Sequence, residues 1–197
     1  MKDDGFNDFF KTHKITPKLK HLRLVFVGNQ LNKTSLENFG SYLKNSNLDS
    51  FGINLYANSI QPDGAKYLAD GLEGAKIKDL DIDLYFNNIT EVGTEALCQK
   101  IALIPNLEKL SLNFDFNYIK NEGGKEIGQM LKKLPQLEEL HIGVASKNFG
   151  YLGFKSVVDG MATQKKVKSL TLRCGVNRVG VNGASIVNKM LEGFHEL

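Results

Sequence analysis

Only two of the 197 residues are cysteine, too few for the disulfide framework that staples small secreted domains. Tryptophan is absent, proline appears only four times, and no tract has biased composition, so disorder does not dominate the chain. A surplus of one charge is missing too, with 25 Lys and Arg against 22 Asp and Glu for a formal +3. That is far short of the concentrated basic excess of nucleic-acid binders, and no nucleic acid is expected as a partner. The four histidines lack zinc-ligand spacing, so no metal or other cofactor is expected. No run approaches the ~18 apolar residues of a membrane span, and the start, Met1, Lys2, Asp3, Asp4, has no apolar signal core. The expectation is a soluble cytoplasmic protein in a reducing compartment, with no membrane partner.

What the sequence does have is a period. Aligning Lys18, Asn47, Lys76, Asn106, Gln136 and Lys166 divides the chain into repeats 18–46, 47–75, 76–105, 106–135, 136–165 and 166–197, after a capping segment 1–17. The second position of each unit reads Leu19, Leu48, Ile77, Leu107, Leu137, Val167, and the fifth Leu22, Phe51, Leu80, Leu110, Leu140, Leu170. The seventh reads Leu24, Ile53, Ile82, Leu112, Ile142, Leu172, and the ninth Phe26, Leu55, Leu84, Phe114, Val144, Cys174. Four positions in six units make 24, and all 24 are apolar.

Apolar fifth, seventh and ninth positions alternate with period two, which predicts a strand with one buried face. The twelfth position is Asn29, Asn58, Asn87, Asn117 and Asn177, with Lys147 then Asn148 in the remaining unit. Such amides bond the backbone of their own and the adjacent unit, predicting a buried ladder. Gly64, Gly93, Gly123, Gly153 and Gly183, with Ser35 in the first unit, are expected to open the second half of each unit. There the spacing turns helical, as in Phe39 with Leu43, Leu68 with Leu72, Leu97 with Ile101, Ile127 with Leu131, Val157 with Met161, and Val187 with Leu191. A lone strand–helix pair cannot bury both apolar faces, so the units stack. The predicted fold is α/β: a curved solenoid or horseshoe of six strand–helix repeats, with a parallel inner sheet and outer helices.

These residues resemble the leucine-rich repeat family, whose spaced Leu, Asn and Leu followed by a helix are matched in register six times. The full helix, the repeat length and the recurrent Gly resemble the ribonuclease-inhibitor-like subclass. The Asn falls two positions later than in the usual motif, lengthening the strand in a way similar to repeat arrays of ciliated protozoa. For function the resemblance implies little, since the fold hosts protein inhibitors, receptors, scaffolds and GTPase activators. The leading expectation is a non-enzymatic protein-interaction module, a scaffold or complex subunit, with cytoskeletal or ciliary placement as a variant of the cytoplasmic one. Family functions also include GTPase activation and purely architectural roles, as in an axoneme, and both stand as alternatives. Ribonuclease inhibition itself is not expected, because that inhibitor is longer and cysteine-rich.

The sixth, eighth and tenth positions are expected to face out of the concave sheet. They bring Asn54, Tyr56, Asp81, Asp83, Tyr85, Asn113, Asp115, His141 and Arg173 to one wall, acidic and aromatic at its middle, with Asp79 and Glu108 at its margin. Tyrosine beside acid suits a basic or mixed protein segment. Calcium on Asp81, Asp83 and Asp115 is disfavoured, since flat strands seldom wrap six oxygens around an ion. His141 is not expected to be catalytic, on the reading that the register places no Ser or Cys beside it. The fifth unit's turn, with Lys147, Phe149, Tyr151 and Phe154, is expected to be repacked locally, the alternative being an edge contact. Phe6, Phe9, Phe10 and Ile15 are expected to cover the first unit, and the uncapped C-terminal end to dock on another subunit or assembly.

Overall fold

The apolar alternation becomes six strands of five residues each in this computed structural model, which describes residues 10, 15–44 and 46–194. They are β1 (His21–Val25), β2 (Ser50–Asn54), β3 (Asp79–Asp83), β4 (Lys109–Asn113), β5 (Glu139–Gly143) and β6 (Ser169–Arg173). All pairs are parallel, in the order β1-β2-β3-β4-β5-β6. Leu22, Phe51, Leu80, Leu110, Leu140 and Leu170 lie side by side across the sheet, as the repeat alignment requires. The ninth position also belongs to it. Leu55 N donates to Asp83 O at 2.8 Å, Leu84 N to Asn113 O at 2.9 Å and Phe114 N to Gly143 O at 2.8 Å, so the strands are longer than their central five residues.

Each strand is followed by a helix: α1 (Lys33–Leu43), α2 (Gln61–Gly71), α3 (Glu91–Ile101), α4 (Lys120–Leu131), α5 (Tyr151–Met161) and α6 (Gly180–Phe194). The sheet and the helices form the two walls of a curved solenoid, with one continuous apolar core between them. The expected helix pairs are buried in the first five units. In α6 the pair fails: Val187 is half-buried and Leu191 exposed, while Met190 takes the buried position. The recurrent glycines do not open the helices either. Gly93, for example, is the third residue of α3, where a Cβ would stand 3.1 Å from Pro62 Cα of α2. Its smallness lets consecutive helices approach.

At the first unit Phe10 packs edge-on against Phe39, with ring centroids 5.0 Å apart, and against Tyr42 at 4.8 Å, while Ile15 rests on the same core. Phe6 and Phe9 lie outside the described residues. No helix among the described residues is long and apolar enough to cross a membrane.

Between strand and helix the amide ladder forms as the Asn spacing requires. Asn58 Oδ1 accepts from the Asn29 and Leu31 N–H groups at 3.0 and 2.9 Å, and its Nδ2 donates to Phe26 O and Leu55 O. Asn87 and Asn117 repeat the pattern one and two units along. The fifth unit departs from it. Lys147 and Asn148 are exposed, and Ser146 substitutes, its hydroxyl donating to Asn117 O and its N–H to Asn177 Oδ1, both at 2.6 Å. Phe149 and Phe154 fill the interior beside it.

Just before this ladder the chain turns sharply. The eleventh residue of five units, Gly28, Ala57, Phe86, Phe116 and Val176, has a left-handed backbone with φ between 53° and 64°. Glycine adopts that conformation freely; for Phe, and more so for β-branched Val, it costs about 1 kcal/mol or more.

Candidate functional site

The wall's polar side chains largely hold one another. Asp83 sits at its centre and accepts from Asn54 Nδ2 at 3.3 Å, Asn113 Nδ2 at 2.9 Å and its own Tyr85 N–H at 3.0 Å. Asn54 and Asn113 likewise cap the N–H two residues on, at Tyr56 and Asp115. In the second, third and fourth units the eighth position thus carries a short carboxyl or amide side chain that closes the chain as it leaves the strand.

Two arginines then reach across the sheet, each over a glycine. Arg23 Nη1 meets Asp81 Oδ2 at 2.6 Å, spanning β2 at Gly52, where a Cβ would crowd its Nη1 at 3.2 Å. Arg173 Nε meets Asp115 Oδ2 at 3.1 Å, spanning β5 at Gly143, where a Cβ would stand 2.8 Å from Asp115 Oδ1 and 3.0 Å from Arg173 Nη2. The two expected wall residues Asn113 and Asp115 are thus covered rather than open. At the margin Glu108 is neutralised by Lys78 at 2.9 Å, while Asp79 accepts from the Ser50 hydroxyl at 3.3 Å.

Burial pushes the Asp115 carboxyl above the ordinary carboxylate range, against the lowering effect of the Ala145 N–H and of Arg173. Its partner is half-exposed, so the two halves of the pair are not equivalent. Arg173→Met leaves a covered carboxylate without its cation and is expected to cost about 1 to 3 kcal/mol. Asp115→Asn keeps an acceptor for Ala145 N–H and leaves the guanidinium to water, and is expected to cost under about 1 kcal/mol. Because the folded value is raised, stability from this group is complete below the unfolded carboxylate's pKa and is lost as pH rises through the folded one. Asp115→Asn should flatten that acid-side dependence in urea unfolding followed across pH.

Beyond this polar field, toward the turns, stands a row of rings. Tyr56 and Tyr85 pack with centroids 4.7 Å apart, and Tyr85 and Phe116 at 4.9 Å. Phe116 is 45% exposed and Tyr56 39%. Phe86, Tyr118, Val25 and Val27 are exposed as well, each in the turn or outward face of the first four units. Tyr56 and Tyr85 follow from the alternation, but Phe116 and Phe86 do not. They occupy the left-handed eleventh position, where the alternation has ended, and the one available signal is an aromatic residue just ahead of the ladder Asn.

In the last three units the wall is different. Ser111, His141 and Thr171 are register neighbours on β4, β5 and β6, and with Leu112, Ile142 and Arg173 they line a hollow of about 170 Å³. The expectation that no Ser stands beside His141 is therefore incorrect, since both are the sixth residue of their units. No hydrogen bond joins the two among the described residues, and no carboxylate lines the hollow. A second hollow, of about 340 Å³ over β1 to β3, is lined by His21, Arg23, Ser50, Gly52, Asp79 and Asp81. A wider depression of about 420 Å³ opens at the irregular turn, where Lys120, Lys147 and Arg178 face Glu122; Lys120 is already paired with Glu91 at 3.0 Å.

No protein-family model matches this sequence, and no curated protein matches it either.

Proposed function

We propose that the chain is a non-enzymatic protein-interaction module of the leucine-rich repeat type, akin to the ribonuclease-inhibitor-like subclass, that grips a mixed apolar and basic segment on its concave sheet. The observation that carries this reading is the stacked row Tyr56, Tyr85 and Phe116, left open to water. Nothing in the fold requires rings there: the core closes without them, and Phe116 stands in a left-handed backbone that most other residues would relieve only slightly. Rigid aromatic side chains give large contact area for little lost conformational freedom, which makes them common anchors of interfaces. Asp83, two residues before Tyr85, is hydrogen-bonded by amides and backbone but by no cation, and so offers a charge to a basic residue of the segment. Asp81 and Asp115 contribute less, their charge being met by Arg23 and Arg173.

The test is affinity capture with quantitative mass spectrometry, comparing the native chain with the Tyr56→Ser, Tyr85→Ser, Phe116→Ser triple variant. A Lys125→Ser, Lys189→Ser variant on the helical wall serves as control. A specific partner should weaken by roughly thirtyfold or more with the triple variant, the worth of at least one interface hot spot, with thermal unfolding unchanged. Equal recovery by all three forms would sink the reading.

A further inference from the structure

In the first four units every charged or amide side chain at the sixth and eighth positions has a partner. Arg23 holds Asp81, Asn54 and Asn113 hold Asp83, and each amide oxygen caps a backbone N–H. The hollow over β4 to β6 is instead lined by polar side chains that are left unpaired or only partly paired. Among the described residues no hydrogen bond is made by the Ser111 hydroxyl, the Thr171 hydroxyl or the His141 ring, and Arg173 spends only its Nε edge, on Asp115. Four groups with spare donors thus converge on one opening, three of them on adjacent strands about 4.8 Å apart.

We infer that this hollow receives a phosphoryl group, carried as phosphoserine or phosphothreonine on the segment that lies along the wall. The protein carrier rests on the reading given under the proposed function; the anion chemistry does not. The hydroxyls and the imidazole can each turn a proton toward a ligand, the free edge of the guanidinium can only donate, and no carboxylate lines the opening to repel negative charge, a combination that favours an anion. A phosphoryl group brings three acceptor oxygens and a charge of about −1.5 to −2, which suits hydroxyl, imidazole and guanidinium donors on several sides better than the two oxygens of a carboxylate. The companion hollow over β1 to β3 makes the contrast. It also has a histidine and an arginine, but Asp79 and Asp81 line it and Arg23 is turned onto Asp81, so it repels anions. The wall is therefore polarised along its length: rings and Asp83 toward one end, an anion receptor toward the other. A bound segment gains a fixed direction from that polarity.

The experiment is an NMR titration of the whole labelled chain with inorganic phosphate, O-phosphoserine and acetate at matched ionic strength, reading the His141 ring and Thr171 methyl signals. His141→Gln assigns the ring, and His21 is the internal control. Phosphate and phosphoserine should shift both signals saturably, acetate much less, and His21 should stay still. Ser111→Ala and Thr171→Val should each weaken the titration by about tenfold, the worth of one hydrogen bond to a charged group, and the pair by about a hundredfold. Both truncations are conservative, and Ser111→Ala alone keeps the test available if the pair unfolds. No saturable shift, equal movement at His21, indifference to the truncations, or acetate matching phosphate would each overturn the assignment. The titration needs no partner, so its failure leaves the ring variants' capture result standing, and failure of that capture leaves the titration standing.

Discussion

Asn117→Ala should lower stability by about 3 kcal/mol or more in urea denaturation, although the residue touches no exposed part of the wall. Its Oδ1 accepts from the N–H groups of Asn87 at 3.0 Å and Ile89 at 2.8 Å. Its Nδ2 donates to the carbonyls of Leu84 at 2.7 Å and of Phe114 and Asp115 at 3.2 Å. The side chain is buried, so four backbone groups are stranded at once, Asp115 O alone keeping a partner in the Phe86 N–H at 3.1 Å, and each stranded group costs about 1 to 3 kcal/mol. The sum is discounted because a water entering the vacated space restores some of the bonds. Asn177 is the built-in comparison. It stands at the same position of the last unit, but its Oδ1 takes one N–H, from Ser146, and its Nδ2 has no partner among the described residues. Asn177→Ala should therefore cost clearly less. Equal losses would mean that the ladder is not what joins the units at their turns.

The ladder and the core were legible because both depend on what recurs at a fixed interval. An Asn every 29 or 30 residues has one geometric use in stacked units, and an apolar fifth, seventh and ninth residue can face only one way. The wall's internal pairing was not legible, for an equally physical reason. Arg23 and Asp81 lie two strands apart, and their contact depends on the absence of a side chain at Gly52; the same holds for Arg173 and Asp115 over Gly143. Reading alternation alone assigns Asp115 to an open acidic patch and misses that a long cation covers it. Phe116 escaped because its outward direction comes from a left-handed turn, and the left-handed position in its unit is held by Phe itself rather than by the Gly or Asn that would mark such a turn. Ser111 beside His141 was in the register all along, since equal positions of successive units are lateral neighbours in a parallel sheet. What hides function in such a chain is therefore the lateral dimension, running from unit to unit, rather than the pattern within one unit.

The same lateral reasoning gives the second large effect, at Gly128 on the outer wall. A Cβ built there would lie 2.1 Å from Ser156 O and 2.7 Å from Ser156 C, both backbone atoms of α5. Gly160 returns the contact, its Cβ falling 2.7 Å from Gly128 O, and Gly124 meets Gly153 O at 2.6 Å. Helices α4 and α5 thus touch backbone to backbone, with no flexible side chain to yield, so relief requires the helices to move apart. Gly128→Ala is expected to cost about 3 kcal/mol, the upper part of the range for overpacking, even though alanine is the better helix former. Gly193→Ala in α6 isolates that intrinsic preference. A Cβ there meets nothing within 4 Å, and the change should stabilise by up to about 1 kcal/mol. Opposite signs for one substitution in two helices would locate the effect in the contact between units. The consequence reaches the inner wall, because helix spacing sets the curvature of a solenoid, and α4 and α5 back the strands that carry Ser111 and His141. A Gly128→Ala chain that still folds should therefore bind phosphate more weakly than the native chain, while Gly193→Ala should not change it; unaltered phosphate binding in both would show that the hollow is set by the sheet alone.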